Sequence, residues 1–394
     1  MSTPELPVAR TCPFTQPELH ARSSDEEPVT RVRLPNGSRA WFVTRYEDVR
    51  TVLSDPRFSS DREKPGFPRL SRGNDKEPVR TMLGMDAEEH RAARGGVLGE
   101  FTLRRVNALR PRIQEIVDGL IDDLLAASHP ADLVPSLALP VPSLLICEQL
   151  GVPYVDHAFF QENTEKLFSR ETPPEETAAT YARLHRYFDE LITAKEAAPS
   201  DDLLGRQITE SRAAGTYDHA YLVGLAFLLL AAGHESTANM ISVGVLGLLE
   251  NPRQLRLIAA DQGKTPVAVE ELLRFFSITD TVPLRVALAD VELGGVLIKA
   301  GEGVLPSLYA ANWDRSVFDS PDVLDVERGA RHHVAFGYGP HQCLGQNLAR
   351  AELEIVFETL FRRIPGLKLA VDVDEIPTKE KASVYGLYRL PVTW

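Results

Sequence analysis

Apolar residues recur three or four positions apart over several long stretches. Between 103 and 125 they are Val106, Leu109, Ile113, Ile116, Val117, Leu120, Ile121, Leu124 and Leu125, which predicts an amphipathic helix. The same spacing predicts helices over 177–192, 218–249, 266–276 and 346–363, and a short one through Tyr46, Val49, Val52 and Leu53. Two segments read instead as β-hairpins: 29–44, turning at Asn36-Gly37, and 291–298, turning at Gly294-Gly295. From Ser59 to Met85 the pattern dissolves into Arg, Lys, Asp, Gly and Pro, as in a long functional loop. There is no internal repeat, low-complexity segment or linker. The expectation is one mainly α domain over residues 1–394 with a small β-rich portion.

Composition narrows the partners. A net charge of −13 argues against nucleic acid or an anionic membrane as the main one. The longest apolar run, 222–233, is shorter than the ~20 residues of a membrane span and leads into His234 and Glu235, so it predicts a buried core helix. The opening Met1 to Cys12 has no apolar core of a secretory signal. Cys12, Cys147 and Cys343 are too few and too scattered for a disulfide framework. Together these features predict a cytoplasmic, monomeric protein without a membrane anchor.

Candidate chemistry concentrates in two places. The first is Phe336-Gly337-Tyr338-Gly339-Pro340-His341-Gln342-Cys343-Leu344-Gly345, a glycine-rich loop opening onto the helix from Gln346. Glycine permits turns and close approaches that a Cβ would block. The free N–H groups and positive dipole end of the helix favour a thiolate at Cys343. Such a thiolate suits an axial ligand of haem iron; the alternative is a buried structural cysteine. The second place is Ala232-Gly233-His234-Glu235-Ser236-Thr237 in the middle of an apolar helix. Gly233 and Ser236 are expected to weaken and bend that helix. A buried carboxylate there needs a partner or a task.

The loop resembles the haem-binding loop of the cytochrome P450 family, Phe-x-x-Gly-x-x-x-Cys-x-Gly, with Phe336, Gly339, Cys343 and Gly345 at the matching positions. The resemblance extends from about Thr11 to Trp394. It implies the P450 fold, haem b, and Cys343 as the sole protein ligand of the iron. It also implies that Glu235 and Ser236, matching Ala-Gly-x-(Asp/Glu)-Thr, hold the waters that deliver protons to dioxygen where the helix opens. Serine replaces the family's usual threonine there, keeping the hydroxyl without the methyl that restricts its rotamer. His90, Arg94, Arg285 and His341 match positions that hold the haem propionates. Glu271 and Arg274 match a buried Glu-x-x-Arg pair, tied to Arg328. Asn312-Trp313-Asp314 departs from the common Asn-Arg-Asp.

The resemblance further implies a monooxygenase that takes O2 and a small-molecule substrate. Its electrons would come from a ferredoxin and an NAD(P)H-dependent ferredoxin reductase, since 394 residues leave no room for a redox module. Arg350, Arg362 and Arg363 offer a docking face for an acidic ferredoxin. A peroxygenase and a haem-based sensor are the competing readings, and retention of the acid–alcohol pair argues against both. Leu83, Met85, Phe227, Ala231, Ala232, Thr281, Val282, Pro283, Val384 and Tyr385 occupy pocket positions. Leu390-Pro391-Val392-Thr393-Trp394, Cys12-Pro13-Phe14 and the segment 139–143 resemble soluble bacterial P450s of secondary metabolism. Ser236 within that group is similar to enzymes tailoring polyene macrolides, which implies late hydroxylation, or else epoxidation, of a macrolactone.

Overall fold

The longest helix, His219–Glu250, is buried along most of its length, and several other helices pack against it. Asp218 caps it by accepting from the Tyr221 N–H at 3.1 Å. Pro140–Leu150 and Pro174–Ala197 lie against it on one side, Thr265–Phe276 and Gln346–Arg363 on another, and Leu103–Ala126 packs on Gln346–Arg363. The computed structural model describes residues 3–25, 27–70, 80–280 and 282–394. Among them this helix is long and apolar enough to cross a bilayer, but 67% of its most apolar window is buried within the fold. It is the core helix that its apolar run predicts.

The β-rich portion stands beside this helical body. Its five-stranded sheet runs in the order Val29–Arg33, Arg39–Val43, Gly303–Pro306, Arg285–Ala287, Phe58–Ser59. The first two strands form the expected hairpin, in antiparallel register from Val29↔Val43 to Arg33↔Arg39. Val291–Leu293 and Val296–Ile298 form the second, whose turn residues Gly294 and Gly295 both have positive φ (56° and 78°). Ala131–Asp132, Pro391–Thr393 and Lys368–Leu369 make a small third sheet.

Helix 346–363 is found as predicted. Helix Pro174–Ala197 outruns its apolar periodicity at both ends, its Pro174 standing at the first turn where a missing N–H costs nothing. Among the helices that the periodicity does not predict, two were hidden for opposite reasons. Pro140–Leu150 is buried on nearly every side, so no polar stripe marks its period. Ala87–Leu98 buries only His90 and Val97 and contains Gly95-Gly96. The α-helix runs through Gly233–Thr237 without interruption, and Ser236 Oγ makes the expected bond to a backbone carbonyl, Ala232 O (2.7 Å).

Candidate active site

The cysteine loop is folded by its own backbone. Gly337 N bonds Val334 O (2.8 Å), Gln342 N bonds Gly339 O (3.0 Å), and Cys343 N bonds Phe336 O (2.8 Å). Gly339 has φ 73°, and a Cβ there would come within 2.7 Å of Leu53 O, so only glycine fits. At Gly345, by contrast, φ is ordinary (−82°), and a Cβ would meet nothing within 4 Å. Burial raises the Cys343 thiol, against the opposing pull of the Gly345 N–H, Arg94 and Arg350. The Gly345 N–H favours the thiolate, but burial outweighs it; loss of the proton belongs to metal binding.

Beside the loop sits a crowded group of basic side chains. The rings of His90 and His341 lie 3.9 Å apart, and His341 Nε2 meets Ser60 Oγ at 3.1 Å. Burial, then Arg285, His90 and Arg94, pushes His341 down to about 3. Burial also lowers Arg94 and takes Arg285 down to about 10. Arg285 Nη1 bonds Leu284 O (2.8 Å), but its Nη2 is buried without a partner. Mutual repulsion and an orphaned guanidinium nitrogen describe a site made for anionic oxygen atoms.

In mid-helix, Leu228, Ala232 and Ser236 keep accessible surface, as do Phe227 and Gly233, while most of the helix around them is buried. Four residues apart, Leu228, Ala232 and Ser236 form one accessible stripe. Glu235 lies off this stripe, 3% exposed, accepting from Lys379 Nζ at 2.6 Å and Asn239 Nδ2 at 3.0 Å. Burial raises its pKa, but Lys379, His234 and the hydrogen bonds from Lys379 and Asn239 outweigh it and hold the carboxyl below its usual range. Glu235 is thus an ion-paired carboxylate and not a standing acid. Lys379 went unnoticed in the sequence.

The predicted pocket residues divide. Ala232 and Val282 are exposed, as is Leu83, while Phe227 and Pro283 are half-buried. Phe227 meets the Tyr181 ring at 5.5 Å. Met85, Ala231 and Val384 are buried. Tyr385 is committed elsewhere: Arg10 lies over its ring at 4.3 Å and over that of Tyr309 at 4.1 Å. Thr281 lies outside the described residues.

Two buried clamps hold the loop from behind. Arg274 makes two 2.8 Å bonds to Glu271, both side chains having no exposed surface, and Arg328 Nε adds a third at 3.1 Å. Arg274 Nη1 also bonds Asn312 O (2.8 Å), while Asn312 Oδ1 receives Val334 N (2.7 Å) at the start of the loop. The Asn-Trp-Asp segment is therefore a link, with Trp313 Nε1 satisfied by Phe275 O (2.9 Å). The second clamp is Glu270, joined to His333 (3.1 Å) and by two bonds to Arg350 (2.5 and 3.0 Å). Arg350 in turn lies 4.6 Å over the Phe336 ring. In the supposed docking stripe Arg350 is paired with Glu270 and Arg363 with Asp118 and Asp122, both arginines being partly accessible, while Arg362 is exposed.

The cytochrome P450 family profile matches residues 265–387, which include both clamps and the cysteine loop. Pentalenic acid synthase of Streptomyces avermitilis is 50% identical over 99% of this chain and 97% of its own length. The chain belongs to the cytochrome P450 family. A 20-oxo-5-O-mycaminosyltylactone 23-monooxygenase of Streptomyces fradiae is 45% identical, covering 98% of this chain and 92% of that one. The crystal structure of cytochrome P450 MoxA from Nonomuraea recticatena (CYP105) superposes with a TM-score of 0.91 at 57% identity, covering 99% of this chain and 98% of that one. This P450 is a haem b monooxygenase of bacterial secondary metabolism, which acts on a small molecule and draws electrons from redox partners. Haem fits the residues present: Arg285 Nη2 lacks an acceptor among clustered cations, open space faces Gly345, and the central helix shows one accessible stripe.

Proposed function

We propose that this P450 hydroxylates a macrolactone late in its assembly, on the polyol side of the ring. The observation that carries this reading is the 45% identity to the tylactone 23-monooxygenase, whose name describes oxidation of a glycosylated lactone. Pentalenic acid synthase shows how widely substrates differ at similar identity. A polyene macrolactone is the narrower reading, and it rests on Ser236 in place of threonine.

Haem bound through Cys343 supplies the oxygen-activating chemistry. Arg94 and Arg285, with His341 and His90, hold its propionates; each such pairing relieves the desolvation of an arginine. Ser236 orders water at the accessible stripe, and Glu235 passes protons toward it. Leu83, Met85, Phe227, Ala231, Ala232, Val282, Pro283 and Val384 exclude water around the substrate, a mainly apolar wall suited to a large amphipathic ring. The 394 residues form one haem domain, with ferredoxin and reductase as separate proteins.

The test is a binding titration of the haem-loaded protein against a panel of deoxy-macrolactones, read by the low- to high-spin shift. A macrolactone substrate predicts a full shift at micromolar concentration with a polyol macrolactone and none with a sterol of similar size; the reverse preference rejects it. The Cys343→His variant should lose the red-shifted carbonyl band of the thiolate-ligated haem, because imidazole donates less charge to iron. Cys12→Ser and Cys147→Ser should keep it.

A further inference from the structure

The central helix has a second face with a use. A cavity of about 300 Å³ lies between it and helix His157–Phe168, lined among others by His234, Glu235 and Lys379. Its rim residues Ala158, Glu162 and Glu165 are exposed, so the cavity opens to solvent. His234 is only 2% exposed, yet neither ring nitrogen has a hydrogen-bond partner. Such a group wants water. At 3.6 residues per turn, His234 and Ser236 stand about 200° apart, on opposite sides of the helix, with Glu235 between them. Glu235 thus lines the cavity and stands, around the helix, between it and the accessible stripe.

We propose that this cavity is the solvent-side proton inlet of the enzyme, and that His234 is the positioning residue that orders its water chain to Glu235. This rests on the reading of Glu235 and Ser236 as the proton-delivering pair. Because Glu235 is held as a carboxylate by Lys379, each proton it passes on must first reach it from outside. In the step, a proton from bulk solvent passes along the cavity water that His234 holds at its ring N–H and at its unprotonated nitrogen, and the last water hands it to a Glu235 oxygen. His234 keeps its own proton and stays neutral throughout, bulk solvent supplies the next proton, and no electrons move.

The charges facing His234 agree with this role. Glu235 lies on its own helix, Lys379 and Tyr388 on the C-terminal segment, and His157, Glu162 and Glu165 on the helix opposite. Burial is the largest influence and brings His234 down to about 4, so at neutral pH it does not compete with Lys379 for Glu235.

The experiment compares His234→Phe, which removes the ring nitrogens, with Ala158→Trp, which plugs the rim without touching the central helix. With NAD(P)H and redox partners, both should lose product per NAD(P)H, with turnover falling by up to about 10²-fold and a larger effect of D2O. Turnover driven by H2O2, in which the protons arrive with the oxidant, should be unchanged. In the ferrous carbonyl form, ¹⁵N NMR of wild type should show His234 neutral from pH 6 to 8, its ring N–H exchanging rapidly with solvent. That exchange should slow in Ala158→Trp. Wild-type coupling in both variants, a ring N–H protected from exchange, or an equal loss in the H2O2 reaction would each overturn the inlet. Uncoupling by Glu235→Gln and Ser236→Ala alone rejects the inlet but keeps the underlying pair. Unchanged coupling in those two variants rejects the pair itself.

Discussion

Ser236 donates its hydroxyl to Ala232 O at 2.7 Å while remaining accessible on the open stripe. The same oxygen is therefore free to accept from water. Ser236→Ala should keep substrate binding but divert reducing equivalents to H2O2, while Ser236→Thr should match or exceed wild-type coupling. Product per NAD(P)H decides; equal coupling in Ser236→Ala would move the proton source elsewhere. Glu352 is a residue of the opposite kind, legible only in the structure. It is 3% exposed, its Oε2 has no partner, and burial raises its pKa from 4.5 to about 8. A raised carboxyl destabilises the fold as pH climbs from 4.5 to about 8, after which the penalty is constant. Glu352→Gln should raise Tm at pH 8 and flatten its fall across that window. Lys379 was illegible because its partner is 144 residues away and Lys379-Glu380-Lys381 reads as solvated charge. The cysteine was legible because a loop motif carries its own spacing, whereas His90, Arg94 and Arg285 were reached only through the resemblance to the P450 family.

The elements around the loop work as clamps, and one helix supplies both. Thr265–Phe276 carries Glu271 and Arg274 on one face and Glu270 beside them, reaching Arg328, Asn312, His333 and Arg350. Arg274→Leu should abolish haem incorporation without touching the site, since it removes two of the bonds to the buried Glu271 carboxylate and leaves it only Arg328 as a cationic partner, at a cost approaching about 3–5 kcal/mol. Haem absorbance per protein is the measurement, and full occupancy in a folded variant would refute the clamp. Glu270→Gln should weaken haem retention less, because Arg350 and His333 are only partly deprived. The Glu-x-x-Arg spacing exposed the first clamp in the sequence. The second was invisible, as Glu270, His333 and Arg350 share no local pattern and Arg350 looked like a surface cation. Even Asn312-Trp313-Asp314 seemed uninformative until its amide was seen to join Arg274's helix to Val334.

At the scale of the molecule, helical periodicity found the main body and turn chemistry the two hairpins. What it could not supply was how helices are fastened across the core. Pro174–Ala197 lies over the central helix and is tied to its first residue, His219, whose Nδ1 meets Glu196 at 2.5 Å and Nε2 meets Asp189 at 3.0 Å. Tyr217 also donates to Glu196, and Arg212 lies near it. The bonds to Glu196 and Asp189 raise His219 above 6.5. A histidine raised in the folded state contributes its full stability below pH 6.5, and that contribution is lost as pH rises through its higher folded pKa. The latch should therefore loosen on the alkaline side and leave Pro174–Ala197 freer to move from the central helix. Amide hydrogen exchange of that helix, corrected for intrinsic rates, should speed up as pH rises above 6.5. His219→Gln should exchange fast at every pH and show no such rise. A wild-type helix whose protection ignores pH would mean that its apolar contacts with the central helix, Tyr181 on Phe227 among them, hold it without the latch.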